Sequence, residues 1–240
     1  MNWQVGSVVE LRAETERATS IVLRLPDWAG HRAGQHVDVR LTAEDGYQAQ
    51  RSYSIASAPE DGDLVLTVER IEDGEVSSYL VDELRSGDEL ELRGPIGGYF
   101  VWEQALGGPL MLVAGGSGIA PMRAMLRHHR AVGSTVPARL LYSARTAAEL
   151  MFHDELVGAA DGAAIDVRFT LTREQPPGWG GYTRRIDRGL LAEVVWAPDD
   201  RPLVYVCGPT AFVEVAADAL VSRGHDPGRI RTERFGPTGR

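Results

Sequence analysis

Several short clusters in this sequence have the residue types and spacing for chemistry on phosphates and flat rings. Gly115-Gly116-Ser117-Gly118-Ile119-Ala120-Pro121 follows an apolar run at 110–114 and opens a stretch of helical length at 120–131. Bare glycines let backbone amides approach a pyrophosphate, and a helix N-terminus favours its negative charge. Pro121 stands where Gly-x-Gly-x-x-Gly has its third glycine, and proline suits the first turn of a helix. Alone, such a segment is equally an ordinary strand-to-helix turn. The next strand ends Ser143-Ala144-Arg145, with no carboxylate before Glu149. A carboxylate there would suit a ribose 2′-hydroxyl, whereas a guanidinium suits a 2′-phosphate. A third strand ends Thr172-Arg173-Glu174, with Arg184 and Arg185 beyond. These arginines are either a phosphate site or a solvated surface. In Arg51-Ser52-Tyr53-Ser54 a guanidinium and an aromatic ring lie on one strand, where alternation puts Arg51 and Tyr53 on one face and Ser52 and Ser54 on the other. Gly74-Glu75-Val76-Ser77-Ser78 is a glycine turn with serines at a helix start, which offers amides and hydroxyls to an anion or simply caps the helix. Cys207-Gly208-Pro209 ends an apolar strand, at the carboxyl edge where α/β sheets bind ligands.

The elements that must position these clusters divide the chain in two. Before residue 103, β-rich runs at 4–11, 19–25, 36–41, 51–56, 64–70 and 89–93 are separated by turn signals such as Glu44-Asp45-Gly46 and Ser86-Gly87-Asp88. Six short strands at this spacing predict an antiparallel β-barrel, with one helix at 77–84. Gly107-Gly108-Pro109 punctuates a linker at 102–108. Beyond it, strands at 110–114, 139–143, 165–172, 203–207 and 230–235 alternate with helical stretches at 120–131, 147–159, 189–195 and 211–223. This alternation predicts a doubly wound α/β domain on a parallel sheet. The domains are expected at 1–103 and 108–240.

Composition narrows the function. The chain has 240 residues, 43% hydrophobic and 25% charged, with a net charge of -9 that argues against nucleic acid as a partner. It has neither a signal-like start nor a membrane-length apolar run, so no membrane partner and a cytoplasmic location are expected. One cysteine excludes an internal disulfide or a four-cysteine iron–sulfur cluster within these residues. His31, His36, His128, His129, His153 and His225 lack metal-ligand spacing and read as surface residues, and no metal site is expected. Arg123, Arg127 and Arg130 read as a solvated helix face or a docking patch for an acidic protein.

Taken in order, Arg-x-Tyr-Ser at 51–54, Gly74-Glu75-Val76-Ser77-Ser78, Gly94-Pro95-Ile96-Gly97, Gly-x-Gly-x-x-Pro at 116–121 and Cys207-Gly208-Pro209 resemble the ferredoxin–NADP⁺ reductase family over nearly the whole chain. The resemblance implies a flavin-binding barrel for the first domain, FAD as the flavin and NADPH as the reductant, with NADH the alternative. Arg51 would contact the flavin pyrophosphate, Tyr53 would stack on the isoalloxazine and Ser54 would bond near N5. Ser52 lies within that motif, and Val68, Glu69 and Arg70 lie on the strand that lines the flavin. Gly74, Val76, Ser77 and Ser78 would cradle the pyrophosphate. Gly116, Ser117, Gly118 and Pro121 would serve the nicotinamide dinucleotide, as would Ser143, Arg145, Thr172, Arg173 and Arg184. Cys207, Gly208 and Pro209 would position the nicotinamide. Glu233-Arg234-Phe235 resembles the family's Glu-x-Tyr ending, with Phe235 for the ring that covers the flavin, and departs from it by running on through 236–240, a tail that would cover the ring or reach the adenine. Ser54, Cys207, Glu233 and Phe235 are the residues expected at the reacting atoms.

Hydride would pass from the nicotinamide to FAD, and electrons would leave singly to an external protein, a ferredoxin or flavodoxin. The chain is expected as a monomer. Within the same fold the alternatives are an NADH-dependent reductase of an oxygenase or haem protein, and a free flavin reductase. A non-catalytic flavin-binding redox sensor is the alternative from another class.

Overall fold

The computed structural model describes residues 2–160 and 164–236. The chain divides into two units, Met1–Trp102 with Arg123–Ala131, and Glu103–Met122 with Val132–Arg240. In the first unit, β1 (Gln4–Thr15), β2 (Ala18–Arg24), β3 (His36–Thr42), β4 (Gln48–Ser54), β5 (Leu64–Glu69) and β6 (Glu89–Ile96) form an antiparallel sheet in the order β4-β3-β6-β1-β2-β5. A bridge between Ile55 and Leu66 brings the two outer strands together, so the sheet curls into a barrel. The inward positions of β3, Val37 and Val39, pack with Leu66, Val68, Leu80, Leu90 and Leu92 in one buried core. Alternation dictates this: their neighbours His36, Asp38 and Arg40 take the opposite face. α1 (Glu75–Ser78) runs into a π-helical turn at Tyr79–Glu83, where the sequence predicts one helix at 77–84.

The second unit contains β7 (Leu110–Gly115), β8 (Ala138–Ala144), β9 (Ile165–Leu171), β10 (Leu203–Pro209) and β11 (Ile230–Phe235), paired in parallel in the order β11-β10-β7-β8-β9. Every residue of β7 is buried, the signature of a strand covered on both faces. The connecting helices are α2 (Ile119–Ala131), α3 (His153–Ala159), α4 (Arg188–Val194) and α5 (Thr210–Ser222). The Asp187 carboxylate caps α4 by accepting from the Leu190 amide at 2.7 Å. β7 leads outward to β8 and β9, whereas β10 and β11 lie on its other side. The order therefore reverses between β7 and β10, and their carboxyl ends flank the switch point.

The structure corrects four expectations. The helix foreseen at 147–159 is broken. A short turn at Ala147–Glu149 is followed by Phe152 in the left-handed region at φ 58, and α3 starts only at His153. Leu150, Met151 and Phe152 are all buried, and three consecutive residues cannot share one helix face, so the chain leaves the helix to bury them. The strand foreseen at 51–56 begins earlier, at Gln48, and ends at Ser54. His129 and His225 are not surface residues but 1% and 4% exposed, and His129 packs against the Trp102 ring at 5.5 Å. Arg123 is buried and donates to the Ala56 carbonyl at 3.0 Å, while Arg127 grips Asp61 with two bonds of 2.7 Å. Arg123 and Arg127, read from the sequence as part of a solvated helix face or a docking patch, thus serve the first unit's own packing, whereas Arg130 is exposed. No described helix is long and apolar enough to cross a membrane. No group of three His, Cys, Asp or Glu among the described residues is placed to hold a metal.

Candidate functional site

The Arg51-Ser52-Tyr53-Ser54 motif lies on β4, at one edge of the barrel sheet. Its continuation meets β5 only at the Ile55–Leu66 bridge, where the Ala56 amide also donates to the Val65 carbonyl at 2.8 Å. Before that bridge no ladder joins residues 51–54 to β5 among the described residues, so the motif sits on an unladdered strand edge. Arg51 is exposed, donates only to the neighbouring Gln50 carbonyl at 2.6 Å and makes no ion pair among the described residues. Tyr53 packs partly against the barrel core, and burial pushes its hydroxyl up to about 12. An exposed guanidinium with no acidic partner among the described residues, on an unladdered strand edge, fits a flavin and its phosphates.

The other expected flavin residues divide by what they still offer. Val68 and Val76 are buried in the core, so only their backbone groups are available. Arg70 is paired with Asp82 at 2.7 Å. Glu69 is half-buried at the end of β5. Ser77 is buried, and its hydroxyl accepts from the Ile71 amide at 3.1 Å and donates to the Gly74 carbonyl at 3.2 Å. The hydroxyl foreseen for an anion is therefore committed to its own turn. Half-buried Ser78 keeps its hydroxyl, and the first-turn amides after Gly74 have no helical acceptor. Ser52 donates to Asp38 at 2.6 Å, a contact the sequence does not signal because it depends on the pairing of β3 with β4.

The dinucleotide residues gather at the switch point of the second unit. Gly116-Ser117-Gly118 makes one tight turn after β7 and α2 follows, with Pro121 buried in its first turn. Gly118 lies against the end of β10, where an added Cβ would stand 2.2 Å from the Cys207 carbonyl oxygen. Gly115 and Gly208 make room for the Phe212 ring, which an added Cβ would meet at 3.0 and 2.7 Å. The Thr210 hydroxyl oxygen, one residue past Pro209, is buried without a hydrogen-bond partner among the described residues. Phe212 and Thr210 escape a sequence reading because helical position alone does not reveal what they cover. This close backbone seam at a strand-order reversal fits a dinucleotide.

At the same carboxyl edge the ends of β8 and β9 run side by side. The Thr172 amide donates to Ala144 at 3.0 Å and the Arg173 amide to Arg145 at 2.9 Å. Ser143 is buried, whereas Arg145 and Arg173 are exposed and make no ion pair among the described residues. Arg184 is set apart from them by its ion pair with Glu193.

Cys207, Glu233 and Phe235 meet at the ends of β10 and β11, where Cys207 is the register partner of Glu233 and Pro209 that of Phe235. Burial, and then the Glu233 charge, holds the Cys207 thiol well above its ordinary range. Such a thiol is not a nucleophile. Burial also pushes Glu233 up from the ordinary 4.5 to about 7. Phe235 is half-buried. Of the tail foreseen as a cover, residues 237–240 lie outside the described residues.

A six-stranded antiparallel barrel followed in the chain by a parallel-sheet unit with a glycine turn at its strand-order reversal is the architecture of a two-cofactor oxidoreductase. The oxidoreductase FAD-binding domain family matches residues 6–101, and the oxidoreductase NAD-binding domain family matches residues 112–218. The glycine betaine monooxygenase reductase subunit of Chromohalobacter salexigens is 32% identical over 85% of this chain and 56% of its own length. The flavohemoprotein of Rhizobium meliloti is 32% identical over 98% of this chain and 61% of its own. The flavohem-like FAD/NAD-binding domain of a Vibrio cholerae nitric oxide dioxygenase superposes with a TM-score of 0.86 at 26% identity, covering 98% of this chain and 99% of that one. The chain carries an oxidoreductase FAD-binding domain followed by an oxidoreductase NAD-binding domain in the ferredoxin reductase-like fold, with FAD and a nicotinamide dinucleotide as cofactors. It spans 56 and 62% of the length of two curated relatives it matches.

Proposed function

We propose that this chain is an NAD(P)H-dependent flavoprotein reductase that takes hydride from NADPH and delivers single electrons to a separate protein. The observation that carries the reading is the glycine-built switch point at β7 and β10 in one unit, together with the motif at 51–54 on the unladdered edge of β4 in the other. When bound, FAD accepts two electrons as hydride and releases them singly. Residues 1–103 hold the flavin: Arg51 and the amides after Gly74 receive the phosphates, Tyr53 covers the ring and Ser54 donates to its reactive edge. Residues 108–240 hold the nicotinamide dinucleotide. Its pyrophosphate rests on the Gly116–Gly118 turn, and Gly208 and Pro209 limit where the nicotinamide ring can lie. Buried neutral Cys207 shapes that corner, Glu233 holds a proton there near neutral pH, and Phe235 supplies an aromatic face.

The finer choice of NADPH rests on Arg145 and Arg173, adjacent, exposed and without acidic partners among the described residues. Ferredoxin or flavodoxin is the proposed acceptor. A second reading, an NADH-dependent reductase serving an oxygenase or haem protein, is favoured by the monooxygenase reductase and flavohemoprotein relatives. Anaerobic stopped-flow reduction of the FAD-loaded protein with each nicotinamide tests both. Bleaching of the flavin by NADPH in preference to NADH is expected. Preference for NADH overturns the coenzyme assignment, and bleaching by neither leaves a redox-sensing flavoprotein in place of an enzyme. Turnover with ferredoxin, flavodoxin and haem-protein acceptors then separates the two partners.

A further inference from the structure

β4 carries the flavin motif yet is the end strand of its sheet, laddered to β3 on one side and, among the described residues, without a ladder to β5 along residues 51–54 on the other. Something beyond the ladder must hold residues 51–54 still if Arg51, Tyr53 and Ser54 are to meet a cofactor in fixed geometry. One row of side chains crosses three strands there. Asp38 on β3 is the register partner of Ser52 on β4 and of Arg93 on β6. Its carboxylate accepts from the Ser52 hydroxyl through Oδ1 at 2.6 Å and from the Arg93 guanidinium through Oδ2, also at 2.6 Å. The Asp38 side chain is 8% exposed. The Arg93 guanidinium lies 4.9 Å from the Trp3 ring centroid, which limits its freedom from the other side.

A carboxylate this buried is costly unless both oxygens are engaged, and a buried ion pair often adds little net stability over an apolar replacement. Its advantage is geometric, because two charge-assisted bonds fix direction as well as distance. We propose that Asp38 is a positioning residue for the flavin: braced by Arg93, it clamps Ser52 and so sets the placement of Arg51, Tyr53 and Ser54 on the free edge strand. This rests on the reading of residues 51–54 as the flavin strand. The neighbouring row on the same face, in which Glu91 accepts from Arg40 at 2.6 and 3.0 Å, reaches β4 only at Gln50 and serves as the comparison.

The test uses D38N, S52A and E91Q. FAD release from each holoprotein is followed by flavin fluorescence, the visible spectrum and flavin reduction potential are recorded, and urea unfolding is measured separately. D38N removes the charge-assisted bonds and is expected to weaken FAD binding roughly ten- to hundred-fold, with a shifted visible band and potential. S52A leaves the Asp38–Arg93 pair intact, so it keeps the test open should D38N fold poorly. It is expected to weaken FAD by about five- to ten-fold. E91Q is expected to leave FAD affinity and spectrum unchanged. The proposal is overturned if D38N or S52A alters unfolding alone, or if E91Q changes the flavin as much as D38N does. A wild-type protein that binds no FAD would instead sink the flavin-strand reading itself, and the clamp with it.

Discussion

Replacing Glu233 with glutamine should change how stability depends on pH, in a direction and size fixed by the site. Burial lifts this carboxyl from 4.5 to about 7 in the folded chain. The folded state therefore keeps its proton over a range in which the unfolded state has lost it. Wherever the unfolded state binds fewer protons, stability falls as pH rises. The destabilisation is absent below 4.5, grows between 4.5 and 7, and is complete above 7. Each pH unit of that window is worth 1.36 kcal/mol, so the full penalty approaches about 3 kcal/mol. From pH 5.5 to pH 8.5 wild type should lose about 2 kcal/mol relative to E233Q, which has no proton to lose. Urea unfolding of both proteins at a series of pH values measures this, with a nucleotide-unit probe such as Trp196 fluorescence. The midpoints should converge at the acid end, separate up to about pH 7 and hold a constant gap from there to pH 8.5. Parallel curves, or an advantage for wild type that grows with pH, would show that Glu233 ionises as a solvated carboxylate does. The proton it is proposed to hold near the nicotinamide would then be missing.

Three further outcomes follow from the same geometry. Gly118→Ala sets a methyl against the backbone carbonyl of Cys207, 2.2 Å from its oxygen, so a loss of about 3 kcal/mol and of flavin reduction by NAD(P)H is expected while FAD stays bound; normal reduction kinetics would refute the close-packed seam. Gln at both Arg145 and Arg173 should lower kcat/KM for NADPH by roughly ten- to hundred-fold and leave NADH nearly untouched, and an equal loss with both coenzymes would assign these arginines to something other than the 2′-phosphate. Native Cys207 should resist a thiol reagent at pH 8 and react fully in urea, because burial and Glu233 both disfavour its thiolate; rapid labelling of the folded protein would contradict that.

What the sequence made legible follows the range of the forces involved. β7 and β10 are readable because a strand buried on both faces must be apolar nearly throughout, and the glycine turn after β7 must lie where no Cβ fits. The barrel strands are readable from alternation and turn chemistry, local signals that hold wherever one face is buried. The break at Phe152 was not, because a run of apolar residues suits a buried helix and a buried loop equally.

Within the site, the legible part is the set of residues whose type suits a ligand; the hidden part is what those residues already hold. Ser77 and Ser52 look alike in sequence, each a small hydroxyl beside a cofactor motif. In the fold one closes its own turn and the other meets a carboxylate fourteen residues earlier. Arg173 and Arg184 also look alike, yet only Arg184 has an acidic partner. The deciding quantity in each case is the register of one strand on another or the path of a loop, and neither is written in a local window of residues. That is why motif order identified the two cofactors while the Asp38 row, which no motif contains, emerges only once β4, β3 and β6 are laid side by side. A residue of this kind is tuned to the strand it braces more than to the cofactor, so its replacement should trace through FAD affinity and spectrum before it reaches turnover.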